Sequence, residues 1–214
     1  MSILFLNGSP RKDGNTAILI EKAMEGAKAA GADVKRIDLF DLNYKGCISC
    51  FSCLRKGGKS LGRCAVKDDL QAVLREIESS DGLVIGSPIY FGDLTGQVRN
   101  LLERLMFQYL MYEPGARTVA PMKIPIGMIY TMNCPDASFY DNLFAANEGS
   151  INTFVGPVIG RVAAVETLQF DDYSKYAAGM ISEEARRERR EKVFWPVDCE
   201  NARALGEALA KWHE

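Results

Sequence analysis

The sequence predicts an α/β fold, a three-layer doubly wound parallel sheet of five strands with a C-terminal helical extension. Short apolar runs, of the length of buried parallel strands, alternate up to Phe170 with segments whose apolar residues recur at helical spacing. Such alternation is typical of a parallel sheet with helices on both faces. Beyond Phe170 charged helical patterns replace the strands. We therefore expect a single domain over residues 1–214, with the extension at about 171–214.

The first strand, loop and helix organise the chain. An apolar run at residues 3–6 stops at the turn formers of residues 7–10, and a helix follows Asn15, its candidate N-cap, as far as Gly31. Free N–H groups and the helix dipole at this point favour an anion. The loop also offers polar and cationic side chains from Ser9, Arg11, Asn15 and Thr16. We expect it to hold a phosphate.

The spacing of this loop narrows the kind of phosphate. A nucleotide P-loop needs four residues between its glycines and then Lys-Ser/Thr, whereas Asn15-Thr16 follows Gly14 here. The dinucleotide fingerprint G-x-G-x-x-G is also absent from the loop. A monophosphate such as that of flavin mononucleotide (FMN) remains, and the competing interpretation is an ordinary polar turn.

The remaining elements are assigned from periodicity and turn residues. They are an edge strand at 33–39, a cysteine-rich segment at about 43–67, a helix capped by Asp68 or Asp69 and running through Ile77, a third strand at 82–87 that Pro88 breaks, a helix from Leu94 to Leu105, a loop at 112–121, a fourth strand at 124–131, a helix at 138–152 and a fifth strand at 161–170.

The extension carries two helical patterns. The run EEARRERREK begins after Ser182 and has i,i+4 pairs Glu183–Arg187 and Glu188–Lys192, which favour a solvated helix face over an interaction site. A last helix, from about Cys199, has one apolar side that can dock on the domain. That side consists of Ala202, Leu205, Leu209 and Trp212.

Composition excludes several classes of function. The net charge of −2 gives no sign of a nucleic-acid footprint. His213 is the one histidine, which argues against Ser-His-Asp and Cys-His catalysis and against histidine-rich metal sites. The sequence shows neither a signal peptide nor an apolar run long enough to span a bilayer. We expect a cytoplasmic protein with no membrane or nucleic-acid partner, whose chemistry comes from a cofactor.

Ligands of open parallel sheets bind beyond the carboxyl ends of the strands, so the first, third and fourth strands converge on one crevice. The third strand ends in a proline–glycine turn around aromatic residues, which suits a flat heterocycle; the alternative is that Tyr90 and Phe91 are core aromatics. The candidate residues from these two strands are Pro88, Ile89, Tyr90, Phe91 and Gly92, then Thr131, Met132 and Asn133.

Four of the six cysteines lie in the pattern Cys47-x2-Cys50-x2-Cys53-x10-Cys64. Cysteines spaced in this way on a loop can converge on one metal centre, and C-x2-C-x2-C also opens a ferredoxin motif. Three interpretations stay open: a four-iron cluster, a zinc site or redox-active dithiols, and a vestige. Cys134 and Cys199 are expected to be buried small hydrophobes.

Taken together, GSPRKDGNT, SPIYFG, the cysteine pattern, Lys67-Asp68-Asp69 and FDDYSKY resemble the NAD(P)H-dependent FMN reductase and iron–sulfur flavoprotein family of the flavodoxin-like superfamily. The gap to Cys64 is longer than is usual there. The resemblance implies strand order 2-1-3-4-5, FMN with its ring against residues 88–92, NAD(P)H as reductant, a four-iron four-sulfur cluster on the four cysteines, and a homodimer or homotetramer.

The expected function is an FMN-dependent oxidoreductase that transfers electrons from NAD(P)H to a flavin, a quinone or a similar acceptor, with chemistry at the flavin N5 and no catalytic side chain. One alternative is an electron-transfer iron–sulfur flavoprotein that works between a ferredoxin-type donor and FMN, so the acceptor is either a small molecule or a protein. Another is a non-redox module that binds a phosphate ligand, because fold alone does not fix function.

Overall fold

The computed structural model of the chain describes residues 1–120, 124–177 and 183–213. The main sheet contains five parallel strands, which are β1 (Ser2–Asn7), β2 (Asp33–Asp38), β3 (Gly82–Tyr90), β7 (Ile126–Thr131) and β8 (Val158–Ala164). Their order across the sheet is β2-β1-β3-β7-β8. Because β7 and β8 are the fourth and fifth parallel strands, the predicted flavodoxin-like order 2-1-3-4-5 is confirmed. A short strand, β4 (Asp93–Leu94), pairs antiparallel with the end of β3.

Helices cover both faces of the sheet, as the alternating pattern predicts. One apolar core lies between the sheet and α1 (Asn15–Ala29) and α6 (Trp195–Ala210). The other lies between the sheet and α2 (Leu70–Ser79), α3 (Gly96–Phe107) and α4 (Asp141–Phe154). Glycines bring α1 and α6 together, since a Cβ on Gly206 would lie 1.8 Å from the carbonyl oxygen of Ala23. No helix within the described residues is long and apolar enough to cross a bilayer.

The third strand runs past Pro88, which is not a strand breaker here. Pro88 pairs in register with Thr131 of β7. On the other side of β3, the last β1 residue, Asn7, pairs with Gly86, so no β1 residue faces Pro88. A residue without an N–H is tolerated where one side of a strand has no partner.

The predicted loop at 112–121 is also wrong at residues 112–113 and 116–118, which are strand. Strands β5 (Leu110–Glu113) and β6 (Ala116–Thr118) form a hairpin there. Gly115 supplies the left-handed conformation that the turn needs, with φ of 85°. The turn formers in this stretch therefore mark a hairpin, and Pro121 lies outside the described residues.

The fifth strand ends at Ala164, not at Phe170. Glu166 has a φ of 47°, a left-handed conformation that interrupts extended backbone. The N–H groups of Glu166 and Thr167 then bond to the carbonyls of Cys134 and Met132 instead of continuing a strand. Residues 165–172, called the crossing loop below, follow β8 as irregular backbone.

The charged run is not simply a solvated face. Helix α5 (Glu183–Arg189) continues through a π-helical segment (Arg190–Phe194) into α6, which therefore begins at Trp195, not near Cys199. Arg186 and Arg190 are buried. The predicted Glu188–Lys192 pair is present at 2.8 Å, and Ser182 lies outside the described residues. Of the last helix's predicted apolar side, Ala202, Leu205 and Leu209 are buried.

Helix caps follow the sequence only in part. Gly31 terminates α1 with φ of 88°, as predicted. Asn15 is the first helical residue and not the N-cap, because Gly14 occupies that position. Asp69 occupies the N-cap position of α2, as predicted, but its side chain makes no capping bond and accepts one from the N–H of Asn43 instead. Asp68 pairs with Arg104. Cys134 and Cys199 are only partly buried, so they are not full core residues.

Candidate functional site

A cleft lies at the carboxyl ends of β1, β3 and β7, where the strand order predicts a ligand. Ten of the twelve residues expected to bind a cofactor line it. They are Ser9, Arg11, Asn15, Thr16, Pro88, Ile89, Tyr90, Thr131, Met132 and Asn133. The other two, Phe91 and Gly92, do not line the cleft; they form the turn between β3 and β4, and the Phe91 side chain is fully exposed.

The loop after β1 is held by hydrogen bonds to its main chain at Gly8. The N–H of Gly8 donates to the carbonyl of Gly86 at 2.7 Å, and the hydroxyl of Thr95 donates to the carbonyl of Gly8 at 2.8 Å. A Cβ on Gly8 would lie 2.1 Å from a methyl carbon of Val98. Only glycine fits this contact between the loop and α3, and Thr95 is a supporting residue that the sequence pattern does not reveal.

The first turn of α1 presents unused N–H groups to the cleft. The first main-chain bond of the helix runs from the N–H of Ile18 to the carbonyl of Gly14 at 3.0 Å. The N–H groups of Asn15, Thr16 and Ala17 therefore have no acceptor within the helix. Together with the positive end of the helix dipole, they form an anion-binding position of the predicted kind.

The crossing loop is a third wall of the cleft, and the sequence analysis missed it. Its lining residues are Thr167, Leu168 and Gln169. Two of the predicted phosphate ligands donate to this wall: Arg11 Nη1 to the carbonyl of Gln169 at 2.5 Å, and Asn15 Nδ2 to the carbonyl of Leu168 at 2.8 Å. The one sequence signal for this loop is the polar Glu166-Thr167 step that follows the apolar run of β8.

Arginines of the charged run bond to the crossing loop and to the segment that follows β7. Arg189 donates twice to the carboxylate of Glu166, at 2.9 and 3.1 Å. Arg186 donates to the carbonyl of Asn133 at 3.0 Å, and Arg187 donates to the carbonyl of Phe170 at 3.3 Å. The C-terminal extension thus helps to fix two parts of the cleft wall, the crossing loop and the end of β7.

The four clustered cysteines meet at a second place in the molecule. Cys47, Cys50, Cys53 and Cys64 all line one small pocket beside the end of α3, called the cysteine pocket below. Its other walls are Ile48, Phe51, Ala65, Val66, Arg104, Phe107 and Gln108. Cys53 is buried and Cys50 is exposed, so the pocket opens to solvent at one side.

The last turns of α3 and the residue after it anchor this pocket. Glu103 accepts a bond from the N–H of Cys47 at 3.1 Å, and the side-chain oxygen of Gln108 accepts one from the N–H of Cys64 at 2.9 Å. The Cys53 thiol donates to the carbonyl of Phe107 at 3.9 Å. The amide nitrogen of Gln108 is buried with no hydrogen-bond partner among the described residues.

The thiols differ in their electrostatic surroundings. Burial raises the pKa of Cys53, and the neighbouring Cys64, Cys47 and Cys50 raise it further. Hydrogen bonds from the backbone and side chain of Ser52 lower the pKa of Cys50. In the described parts of the chain, no three His, Cys, Asp or Glu side chains are already gathered closely enough for one metal ion.

A family model described as NADPH-dependent FMN reductase matches residues 1–132, which is more than half of the chain. The chain belongs to this family. The part of the chain that the FMN reductase family model matches ends at Met132, so it contains β1, β3, β7 and the cysteine pocket, but not the crossing loop.

Curated relatives are named iron–sulfur flavoproteins. One from Methanocaldococcus jannaschii is 34% identical over 104 residues, which is 49% of this chain and 51% of the relative. One from Archaeoglobus fulgidus is 41% identical over 104 residues, 49% of this chain and 48% of the relative. The chain spans about half the length of the curated relatives it matches.

Among solved structures, an azoreductase from Bacillus anthracis superposes with a TM-score of 0.66 at 14% identity. The match covers 97% of this chain and 99% of that protein. At this identity the likeness shows a shared fold. The superposed region includes C-terminal helices that lie beyond the residues matched by the family model.

Proposed function

We propose that this FMN reductase family member is an FMN-dependent oxidoreductase that carries electrons from NAD(P)H to a flavin, a quinone or a similar acceptor. One observation carries the proposal: the cleft at the ends of β1, β3 and β7 gathers ten residues from three separate stretches of the sequence. Their donors suit a phosphate at one end of the cleft, and the residues at the ends of β3 and β7 suit a flat ring at the other.

The phosphate end is supplied by Ser9, Arg11, Asn15, Thr16 and the first-turn N–H groups of α1. Arg11 already donates to Gln169, but a guanidinium has five N–H donors, so this bond leaves others for a phosphate. The buried Gly8–Val98 contact keeps the loop after β1 close to the start of α3. This donor set fits a dianionic monophosphate.

The ring end is formed by residues 88–90 and 131–133. These residues would hold the FMN ring, and the cofactor would supply hydride-accepting chemistry at its N5 atom. The chain binds and orients the ring, and main-chain N–H groups at the ends of the strands are suited to stabilise the negative charge of the reduced flavin. No side chain in the cleft needs to act as a nucleophile.

The decisive experiment is a fluorescence titration of flavin-free protein with FMN, followed by anaerobic addition of NADH or NADPH. We expect saturable FMN binding and loss of the oxidised flavin absorbance with one of the two nucleotides. Riboflavin, which lacks the phosphate, is the matched control and should bind more weakly. If FMN does not bind, the non-redox phosphate-ligand module becomes the better proposal.

A second candidate adds an iron–sulfur cluster, as in an electron-transfer protein between a ferredoxin-type donor and FMN. It is favoured because all four cysteines line one pocket that also contains a buried guanidinium, Arg104. Thiolates are the ligands that iron–sulfur clusters require, and a nearby cation offsets their charge. Cys47, Cys50, Cys53 and Cys64 would hold the cluster.

This candidate is tested by an absorption spectrum of protein purified without oxygen, with iron and zinc assayed on the same sample. Flavin bands on a broad iron–sulfur shoulder, with iron present, would support two redox centres. Zinc without iron would favour the zinc site instead. If Cys50→Ser leaves electron transfer from NAD(P)H intact, a relay through the cluster loses its support.

The assembly proposed here follows from the resemblance to the family, and the cellular setting follows from the composition and charge of the sequence. We expect a homodimer or homotetramer in the cytoplasm, folded as a single domain, with no membrane or nucleic-acid partner. Static light scattering at micromolar concentration measures the mass directly, and a monomeric mass would contradict the assembly.

A further inference from the structure

Arg104 is the most deeply buried charged residue beside the cysteine pocket. Its side chain, on α3, is 0% exposed. Three of its bonds are to acceptors in the segment that follows Cys53: Nε donates to the sulfur of Cys64 at 3.3 Å, Nη1 to the carboxylate of Asp68 at 2.5 Å, and Nη2 to the carbonyl of Val66 at 3.3 Å. A bond to the carbonyl of Lys45 at 3.3 Å ties in the start of the cysteine segment.

A buried charge is costly unless it is paired and hydrogen-bonded. The pairing here is incomplete in a specific way: Asp68 supplies one carboxylate oxygen to Arg104, and its other oxygen, Oδ1, is buried without a partner in the described part of the chain. Besides the two carbonyls, the remaining contact of the guanidinium is the sulfur of Cys64. Packing alone does not require a charged group to point at a thiol.

We propose that Arg104 is a positioning residue for an iron–sulfur cluster held by Cys47, Cys50, Cys53 and Cys64, and that its N–H···S bond and buried charge set the cluster's reduction potential. This inference rests on the second proposed function. Hydrogen bonds to the sulfurs and nearby charge are among the factors that tune such potentials. Reduction adds one negative charge to the centre, so a buried cation favours the reduced form and raises the potential.

Asp68 should shift the reduction potential of the cluster in the opposite direction from Arg104. Its carboxylate partly cancels the field of Arg104, and burial of the pair reduces screening by water. Removing the charge of Arg104 should therefore lower the potential, whereas removing the charge of Asp68 should raise it. A purely structural role predicts no such opposition, because loss of either partner would only loosen the pocket.

The test is an anaerobic redox titration of the reconstituted, flavin-loaded protein, followed by visible absorption and electron paramagnetic resonance. We expect Arg104→Met to lower the cluster potential by at least about 59 mV, a tenfold change in a one-electron equilibrium constant. Asp68→Asn should shift it in the opposite direction. Arg104→Lys, which keeps the charge but loses the planar fork, should fall between Arg104→Met and the native protein.

Arg63 offers a matched control because it precedes Cys64 in the sequence but is 72% exposed. Arg63→Met removes the same charge where water screens it, and should leave the potential unchanged. An unaltered potential in Arg104→Met overturns the inference. If Arg104→Met retains no iron, Asp68→Asn decides, and an unchanged or lower potential there overturns it. Loss of iron in all three Arg104 and Asp68 variants, with FMN affinity intact, would likewise show a merely structural pair.

Failure of the underlying proposal looks different. If the native protein binds FMN but takes up no iron, the second proposed function fails, and this inference falls with it. If the native protein carries iron and only the predicted shifts are missing, the cluster proposal stands and the role of Arg104 alone is rejected.

Discussion

The hydroxyl oxygens of Thr16 and Thr131 lie 2.7 Å apart in the floor of the cleft, one in the first turn of α1 and the other at the end of β7. Both residues are buried. The bond ties the phosphate end of the cleft to the strand that carries its ring end. Loss of this bond should therefore lower the free energy of unfolding even when no ligand is bound.

Thr131→Val tests this bond, because valine keeps the shape and removes the hydroxyl. The Thr16 hydroxyl would lose this buried partner, so we expect the free energy of unfolding to fall by about 1–3 kcal/mol in urea denaturation of the flavin-free protein. Replacing both threonines with valine should restore part of the loss, since no hydroxyl is then left unpaired. A double variant whose loss is the sum of the two single losses would contradict this account.

Gly8→Ala should disrupt the contact between the loop after β1 and α3. The new methyl group would lie 2.1 Å from Val98 and 2.8 Å from the carbonyl of Gly86, so the loop must shift. We expect a destabilisation of about 1–3 kcal/mol from overpacking, with weaker FMN binding in a fluorescence titration. Gly96→Ala is the control, because nothing lies within 4 Å of its Cβ position. Equal effects of the two substitutions would reject the steric explanation.

The two aromatic residues at the end of β3 should differ in their effect on FMN binding. Tyr90 lines the cleft, whereas Phe91 is fully exposed outside it. Tyr90→Ala should reduce the binding free energy of FMN by about 0.5–1.5 kcal/mol through lost ring contact, and Phe91→Ala should leave it nearly unchanged. If Phe91→Ala weakens FMN binding more than Tyr90→Ala does, the ring binds on the Phe91 side of the turn. The sequence alone is compatible with either side.

Alkaline pH should destabilise the fold through its buried tyrosines. Burial raises the pKa of Tyr109 above its ordinary value, and the neighbouring Glu78 raises it further; burial does the same for Tyr44 and Tyr130. Above about pH 10 the unfolded chain ionises these residues and the native chain does not. The stability they contribute is thus complete below pH 10 and is lost as the pH rises, by up to about 1.4 kcal/mol per unit for each tyrosine.

Tyr109→Phe isolates one of these contributions. The unfolding free energy measured at several pH values above 10 should decline less steeply in this variant than in the native protein. Tyr112→Phe is the matched control, since Tyr112 is exposed and should leave the slope unchanged. Parallel slopes for the native protein and Tyr109→Phe would show that Tyr109 ionises in the folded state.

The strand order, the two helical layers and most of the cleft are predictable from the sequence because each rests on local periodicity or on the rule that parallel strands end at one edge. The crossing loop is not predictable in this way. Its path depends on Arg189 and Arg190, which bond to Glu166 and to the carbonyl of Val165 and are distant in sequence from both. An arginine-rich helix pattern does not reveal which of its cations will be buried against carbonyls.

The cysteine pocket is also predictable only in part. The spacing of the cysteines predicts that their thiols can meet, and they do line one pocket. The contacts that position them come from Glu103, Arg104 and Gln108 at the end of α3. Helical periodicity marks the apolar side of α3 but does not indicate that a buried arginine on it faces a sulfur.

Helix α3 is a common foundation for both places. Thr95, at its start, fixes the loop of the cleft, and Arg104, nine residues later and about 14 Å along the axis, contacts the cysteine pocket. Because the two attachments use opposite ends of one helix, a change of side chain at one end need not alter the contacts made at the other. The loop of the cleft and the cysteine segment are therefore held by separate contacts on a shared helix, so in any variant of one place the other can serve as an internal reference for intact folding.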